Sequence, residues 1–413
     1  MKNNRTFLEK LLDGAEVEWK TVKSLCNDNF WLMPATPEFD DNGNIPYITS
    51  KNIKGGKIDF QNTKYINEYV YQELSRTRCI IENDILISMI GTIGEAVIVK
   101  KEDLYFYGQN MYVLRLNNEL VNHKFFLYYF TAPFILNSLL SKKNSSNQGY
   151  LKAGQIESLK IPIPPLSVQT EIVKILDALT ALTSELTSEL ILRQKQYEYY
   201  REKLLSFDSL KLSDGVVQWI KLINLGELIR GNGLQKKDFT ETGVPAIHYG
   251  QIYTYYGTFA TKTKSFVSPE LAKKLKKAKY GDVLIAGTSE NFKDVMKPLG
   301  WLGSEIAFSG DMFAFRPNKR VNTKYLTYIL QTERFYKFKE KYAQGTKVIR
   351  VKADNFLNYE IPLPTLEEQH RIVSILDKFE TLTNSITEGL PLAIEQSQKR
   401  YEYYRELLLN FKQ

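Results

Sequence analysis

The chain repeats itself at long range. The stretch IPIPPLSVQTEIVKILDAL, from Ile161, returns as IPLPTLEEQHRIVSILDKF, from Ile361, displaced by 200 residues. The same displacement relates Trp19 to Trp219 and Val121-Asn122-His123-Lys124 to Val321-Asn322-Thr323-Lys324. Close to it, GQNMYVLRL from Gly108 resembles SGDMFAFRP from Ser309. Further on, QYEYYREKLLSF from Gln196 returns as RYEYYRELLLNF from Arg400, displaced by 204 because four residues have been inserted. A repeat that covers nearly a whole chain sets its architecture before local propensities are weighed. At 413 residues the chain is also too long for one ordinary core, and it fits two domains with connecting elements.

Within each copy the two parts behave differently. The segment after the proline-rich stretch is close to identical between copies, whereas roughly 130 residues before it keep only framework positions. That is the pattern of a protein holding one geometry while reading two different things. Prolines in Ile161-Pro162-Ile163-Pro164-Pro165 and Ile361-Pro362-Leu363-Pro364 mark boundaries, since proline cannot continue a sheet ladder. Beyond them Ile172, Ile175, Leu179, Leu182 and Leu186 alternate three and four apart, as do Ile372, Ile375, Phe379, Leu382 and Ile386. The spacing is that of a coiled-coil seam; an amphipathic helix lying on a globular core is the other reading. Thr183-Ser184-Glu185-Leu186 and Thr187-Ser188-Glu189-Leu190 form a tandem four-residue repeat, a stutter adding about 6 Å of helix. In the second copy Gly389-Leu390-Pro391 is expected to break or kink the helix.

The preceding segments, about 15–160 and 212–361, read as mixed α and β. DILISMIGTIGEAVIV (from Asp84) and GDVLIAGTSE (from Gly281) are strand-like runs ended by Gly and Thr turns, and NHKFFLYYFTAPFILNSLL (from Asn122) is helical. The expected fold class is α+β: two globular domains separated by two long antiparallel coiled-coil helices, with a pseudo-two-fold internal repeat. The expected boundaries are 1–160 for the first domain (with a short N-terminal helix), 161–207 for the first spacer helix, 208–360 for the second domain and 361–413 for the second spacer. Phe7–Leu12 resembles Arg201–Leu205, so the chain is circularly pseudo-repeated and its two domains are expected at opposite ends of the helices.

Fifty-five Lys and Arg against 47 Asp and Glu give +8 and a pI near 9.0. Two readings stay open from charge: a nucleic-acid partner, or a lysine excess that serves solubility. Two cysteines, Cys26 and Cys79, make no disulfide framework, and with His123, His248 and His370 far apart no metal centre is expected. No Gly-rich loop ends in Gly-Lys-Ser/Thr, and neither Asn-Pro-Pro-Tyr nor Asp-Pro-Pro-Tyr occurs, so no catalytic centre is expected. Gly91-Thr92-Ile93-Gly94 reads as a turn. The opening MKNNRTFLEKLLDG lacks the apolar stretch of a signal peptide and no segment has the length to span a bilayer, so a cytoplasmic protein is expected.

Taken together, both proline-rich helix starts, both EYYRE(K/L)LL ends, LEKLLDGAEVEW at the start and the TSEL tandem resemble the specificity subunit of type I restriction–modification enzymes. The tandem, with TLTNSITEGLP in the second copy, looks like the type IC subfamily. The resemblance implies that each globular domain is a target recognition domain reading one half of a split sequence in double-stranded DNA. It implies that the helices act as a ruler between the halves and dock two methyltransferase subunits, with motor-nuclease subunits completing the restriction enzyme. No cofactor is then bound by this chain. S-adenosylmethionine, ATP and magnesium belong to partner subunits, and the methylation subunit flips the target adenine out of the stack.

Base readout needs polar side chains on loops that enter the major groove, while lysines and arginines grip phosphates. The basic loop Lys142, Lys143, Asn147 and Gln148 and its counterpart Gln344, Thr346, Lys347 and Arg350, followed by Lys352, suit DNA contact; a solvated connector is the other reading. Ser88, Thr92, Gln109 and Asn110 form a second group in the first domain, and Thr288, Ser289 and Asp311 its partner in the second. Lys51, Lys54 and Lys57, around Gly55-Gly56, are candidates for phosphate. The run Lys273, Lys274, Lys276, Lys277 and Lys279 is either a phosphate contact or a solvated helix face. Tyr197, Tyr199, Tyr200, Tyr401, Tyr403 and Tyr404 have helical spacing and are expected to pack between the helices or against a methyltransferase subunit. A fused enzyme would need motifs the chain lacks. A coiled-coil scaffold spacing two protein-binding domains fits the architecture as well as DNA reading does, and salt-dependent DNA affinity separates the two.

Overall fold

A central sheet in each half of the chain carries the frame. The computed structural model describes residues 6–141, 151–214, 217–385 and 387–411. Two units form, Met1–Glu185 with Glu395–Gln413, and Leu186–Ile394.

In the first unit the sheet has four antiparallel strands in the order Cys26–Leu32, Met111–Leu116, Ile85–Ser88 and Ala96–Ile98. Neighbouring side chains on a strand point to opposite faces, and both faces are covered here. Ile85, Ile87, Tyr112 and Leu114 enter one core, while Leu86, Met111 and Val113 enter another. Burial on two sides is why Ile85, Leu86 and Ile87 are apolar in succession and do not alternate with polar residues. Phe125, Phe126 and Phe130 of the helix His123–Phe130 fill the first core. The second lies under a three-stranded sheet of Lys64–Ile66, Ile45–Thr49 and Tyr107–Gln109. The helical stretch from Asn122 is two helices: the first ends before Pro133, and the second, Pro133–Ser141, begins on that proline, where a missing N–H costs nothing.

The second unit repeats the plan with five strands in the order Gly226–Arg230, Met312–Pro317, Val283–Ala286, Pro298–Trp301 and Phe259–Ala260. Val283 and Ile285 face one core, Leu284 and Ala286 the other. An outer five-stranded sheet contains Phe239–Thr240, Ser265–Val267, Val244–Ile247, Ile306–Phe308 and Lys277–Ala278.

The prolines do not end their strands. Lys160–Ile163 pairs with Glu18–Thr21, placing Pro162 opposite Trp19, and Glu360–Leu363 pairs with Gln218–Lys221, placing Pro362 opposite Trp219. Each ladder has only two strands, so a residue without an N–H is tolerated on its open edge.

The first long helix is unbroken over Leu166–Leu204, 39 residues. Its buried line differs in one place from the apolar spacing. Ile172 and Leu176 are buried, Leu182 is exposed, and the half-buried Thr183 lies inward, with its hydroxyl 2.8 Å from that of Ser397. In the second copy the equivalent Thr383 is buried and donates to Phe379 O at 2.8 Å. Ile172, Val173 and Leu176 pack into the domain core together with Leu408 and Leu409, so the first turns serve the globular core as well as a helix pair. Within the first unit the paired segments run antiparallel, because Thr183 meets Ser397 while Ile172 shares a core with Leu408 and Phe411. Within the second, Tyr197 stacks on Phe379 at 6.2 Å and Ser213 donates to Glu368 at 2.8 Å, again antiparallel. The second long helix is interrupted: Leu366–Asn384 stops, and Gly389–Leu409 starts on Gly389 at φ +81°, with Pro391 in its first turn. Ile386 lies outside the described residues.

Candidate nucleic-acid interface

The frame that carries the loops repeats several of its hydrogen bonds at matched positions in the two copies. Asn122 caps its helix by accepting from Lys124 N and Phe125 N, and Asn322 does so from Lys324 N and Tyr325 N. The buried Asp84 is held by Arg115 through bonds of 2.9 and 3.0 Å; the buried Asp282 is held by Arg316 through two of 2.9 Å. Lys124 and Tyr128 converge on Asp177 at 2.7 Å each, as Lys324 and Tyr328 converge on Asp377 at 2.5 and 2.7 Å. On this fixed frame the connecting loops differ.

In the first unit two of the candidate groups come together. Thr92 Oγ1 donates to Ser50 O at 2.9 Å, tying the turn after Ile85–Ser88 to the segment that leads into Lys51. Gly55 N donates to Glu95 at 3.1 Å, bringing the lysine hairpin to the same turn. Gln109 accepts from Tyr47 OH at 3.3 Å, and Met89 N donates to Asn110 O at 3.5 Å. Asn110 has φ +66°, so its side chain leaves the strand at an angle the ladder would not give. Gly55 and Gly56, at φ +58° and +70°, make the two-residue turn between Ile53–Lys54 and Lys57–Ile58. Lys54 and Lys57 stand opposite one another across it, exposed. Like charges in that relation destabilise a hairpin, and a phosphate between them would remove the cost. Ser88, by contrast, is buried, its hydroxyl 3.1 Å from that of Thr92 and 3.3 Å from Ile90 O. Lys142, Lys143, Asn147 and Gln148 lie outside the described residues; Leu151, which follows them, donates from its N to Met89 O at 3.2 Å.

In the second unit a cleft of about 340 Å³ gathers Arg230, Thr288, Asp311, Phe313, Arg350 and Asp354. Thr288 pairs with Arg350 and Ser289 with Ile349 in a short ladder, and Gln344 exchanges two 2.9 Å backbone bonds with Arg350. The loop carrying the exposed Thr346 and Lys347 is thereby closed beside the cleft. Gly287 N donates to Asp311 O at 2.8 Å, which fixes the opposite wall. The side chains of Thr288 and Ser289 are buried, Ser289 accepting from Asn291 N at 3.2 Å. Arg230, Asp311 and Arg350 are exposed, and none is in an ion pair among the described residues. An unpaired guanidinium can fork onto guanine or phosphate, and an unpaired carboxylate can accept from a cytosine amine. His248 has its pKa lowered by burial and by the nearby Lys236, against an attraction to Asp311, and its Nδ1 accepts from Gly250 N at 3.3 Å.

Sequence reasoning missed Arg230. Its signal lay in the repeat: Phe313 pairs with Arg230 as Tyr112 pairs with Trp31, so the two copies place different side chains at one framework position. The lysine run is also placed differently from a helix face. The helix Pro269–Ala272 ends before it, and Lys277 is already in a strand. Of the tyrosines, Tyr197 is buried and Tyr401 half-buried, whereas Tyr199 and Tyr403 are exposed. Among the described residues no helix is long and apolar enough to cross a membrane, and no group of three or more His, Cys, Asp or Glu could hold a metal ion.

The family model for the type I restriction modification DNA specificity domain matches twice, over residues 15–193 and 217–396, once in each copy. The chain belongs to this family of type I restriction–modification specificity subunits. It is 41% identical to a putative type I restriction enzyme specificity subunit of Haemophilus influenzae, over 100% of both chains. It is 32% identical to a type I restriction enzyme specificity subunit of Escherichia coli, over 98% of this chain and 97% of that one. A chain solved for the complex assembly and conformational transition of the type I R-M system matches with TM-score 0.57 at 18% identity, covering 95% of this chain and 98% of its own. The S subunit from M. genitalium matches with TM-score 0.54 at 16% identity, over 97% and 98%. The specificity subunit thus shares its fold with proteins from which most of its sequence has drifted.

Proposed function

We propose that this specificity subunit reads a bipartite DNA target, one half through each globular domain, while its helices set the gap between the halves and dock two methyltransferase subunits. The observation that carries the reading is the doubled frame with unlike loops. Asp84–Arg115 and Asp282–Arg316 are the same device, yet one surface presents lysines and amides and the other a cleft with Arg230, Asp311 and Arg350. Two similar scaffolds with different polar surfaces suit one partner class met at two different sequences.

The proposal assigns no chemistry to this chain. Adenine methylation, with S-adenosylmethionine, and ATP- and magnesium-dependent restriction fall to methyltransferase and motor-nuclease partners, all in the cytoplasm. The first-unit contacts would come from Lys51, Lys54, Lys57, Thr92, Gln109 and Asn110, and the second-unit contacts from Asp311, Gln344, Thr346, Lys347 and Arg350. Ser88, Thr288 and Ser289 would hold those loops in shape.

The test is methylome sequencing of a host expressing this chain with its neighbouring methyltransferase gene, against a host lacking this chain. Methylated adenines in one split motif are expected. If the complex assembles and no new motif appears, the chain is a scaffold between protein-binding domains.

A further inference from the structure

The chain's charge of +8 is unevenly placed. Residues 231–280, which build most of the outer sheet of the second unit, hold nine lysines, no arginine and three acidic residues, a balance of +6. The corresponding residues of the first unit, 33–82, hold six basic and seven acidic residues, a balance of −1. The two units share a frame, so the fold does not require the difference.

The lysines are mounted on a small core of their own, made of Leu234, Ala246, Val267, Ala272, Leu275 and Ala307. Lys236 and Lys237 follow Leu234, Lys264 precedes Val267 by three residues, and Lys273, Lys274 and Lys276 flank Leu275. All six are exposed. Asn232 clamps the last group, donating to Lys274 O at 2.9 Å and accepting from Lys276 N at 2.7 Å. None of the six is in an ion pair among the described residues, although six acidic side chains elsewhere in the second unit are so paired. Cations fixed close together without counter-ions repel one another, and a polyanion relieves that repulsion. Duplex DNA supplies one charge per about 1.7 Å along its axis and releases condensed counter-ions when lysines replace them.

We infer that the outer sheet of the second unit is a sequence-independent docking surface for the DNA backbone, so that the two half-sites are engaged unequally. The second unit supplies most of the salt-sensitive affinity and the first unit little. This rests on the DNA-reading function proposed above. The rival occupant is an acidic protein surface.

The experiment uses the full chain with its methyltransferase partner and a duplex of random sequence. Affinity is measured by fluorescence anisotropy between about 50 and 200 mM salt for the wild type and for Lys236→Gln, Lys273→Gln, Lys274→Gln and Lys276→Gln combined. Each phosphate contact contributes about 0.9 to the slope of log K against log salt. The combined variant should therefore lose about 3 to 4 from the slope and bind random duplex at least tenfold more weakly, with its methylated motif unchanged. Duplex should also protect Lys273, Lys274 and Lys276 of the wild type from acetylation. A slope within one of the wild type, with no protection, overturns the inference. So does an unchanged slope with loss of partner assembly, which would assign the surface to a protein. If the wild type itself binds DNA without salt dependence, it is the DNA-reading function that fails.

Discussion

Gln169 Oε1 accepts a 2.8 Å hydrogen bond from the backbone N of Asn122, and Gln369 accepts one of the same length from Asn322. Each glutamine is fully buried and also donates to two carbonyls, Gln169 to Leu120 O and Pro164 O, Gln369 to Arg320 O and Pro364 O. One side chain thus joins the strand exit, the helix cap and the spacer helix of its own unit. Gln169→Ala leaves an amide and two carbonyls without their partner, and a buried unpaired group costs about 1–3 kcal/mol. We expect a loss on the order of 3 kcal/mol confined to the first unit, and the same from Gln369→Ala in the second. Hydrogen exchange resolved by peptide checks this. Equal loosening of both units by either substitution would show that the glutamines do not act locally.

The C-terminal segment belongs to the core of the first unit. Leu408 and Leu409 are fully buried there, Phe411 packs edge-on to Phe125 at 6.3 Å, and Arg405 donates to Tyr128 O at 2.9 Å and Thr131 Oγ1 at 2.8 Å. Each large apolar side chain buried contributes about 1.5–3 kcal/mol, so three amount to much of a domain's stability. Removing residues 395–413 should leave the first unit open to protease while the second keeps its protection, as limited proteolysis would reveal.

The near-identity of the two spacers made the frame legible, because a doubled spacing leaves few ways to pack. Asn122 and Asn322 are caps that any helix start would need, and the repeat displayed them. The coiled-coil line was misread at Leu182 because a threonine does not count as apolar, yet Thr183 and Thr383 turn inward by spending their hydroxyls on hydrogen bonds. Surface readers carry no such period. Ser88, Thr288 and Ser289 are as suited to holding a turn as to reading a base, and they are buried. The lysine run carried no helix because Leu275 and Ala278, three apart, are anchored in different small cores. Arg230 had no local mark at all; only strand register brought it to the cleft.

Lys339 gives the second unit a pH dependence. Buried, it donates to Lys293 O at 2.9 Å and Val295 O at 3.0 Å, and burial lowers its pKa to about 8 against an attraction to Asp294. Unfolded, it would titrate near 10.5. Below pH 8 both states are protonated and the full penalty of burying the charge is present. Between about pH 8 and 10.5 the folded state has lost its proton and the unfolded state has not, so stability rises with pH, by up to about 1.4 kcal/mol per unit. Urea unfolding of the wild type minus that of Lys339→Met should therefore shift in favour of the wild type from pH 8 to 10. A flat difference would mean that the lysine remains charged in place.

Arg350 and Asp311 face one cleft in the second unit. Replacing a base-reading side chain costs about 1–3 kcal/mol and relaxes specificity at its own position. In the methylome, Arg350→Ala or Asp311→Ala should broaden one half of the split motif and leave the other half and the gap untouched. Broadening in both halves would argue for general weakening instead.

The gap itself should respond to the spacer helix. Thr187–Leu190 lies inside the unbroken helix Leu166–Leu204, so deleting it shortens a continuous rod and not a loop. Four residues span about 6 Å, and a base pair occupies about 3.4 Å along duplex DNA. The inward line through Leu179, Thr183, Leu186, Leu190 and Arg193 alternates four and three apart. Removing four residues joins two threes and overwinds the helix pair locally while keeping an inward line through Leu179, Thr183 and Leu186. We expect a methylated motif with both half-sites unchanged and a gap shorter by one or two base pairs. Unchanged spacing would remove the ruler from the helices, and altered half-sites would mean that the helix holds the domains in shape as well as apart.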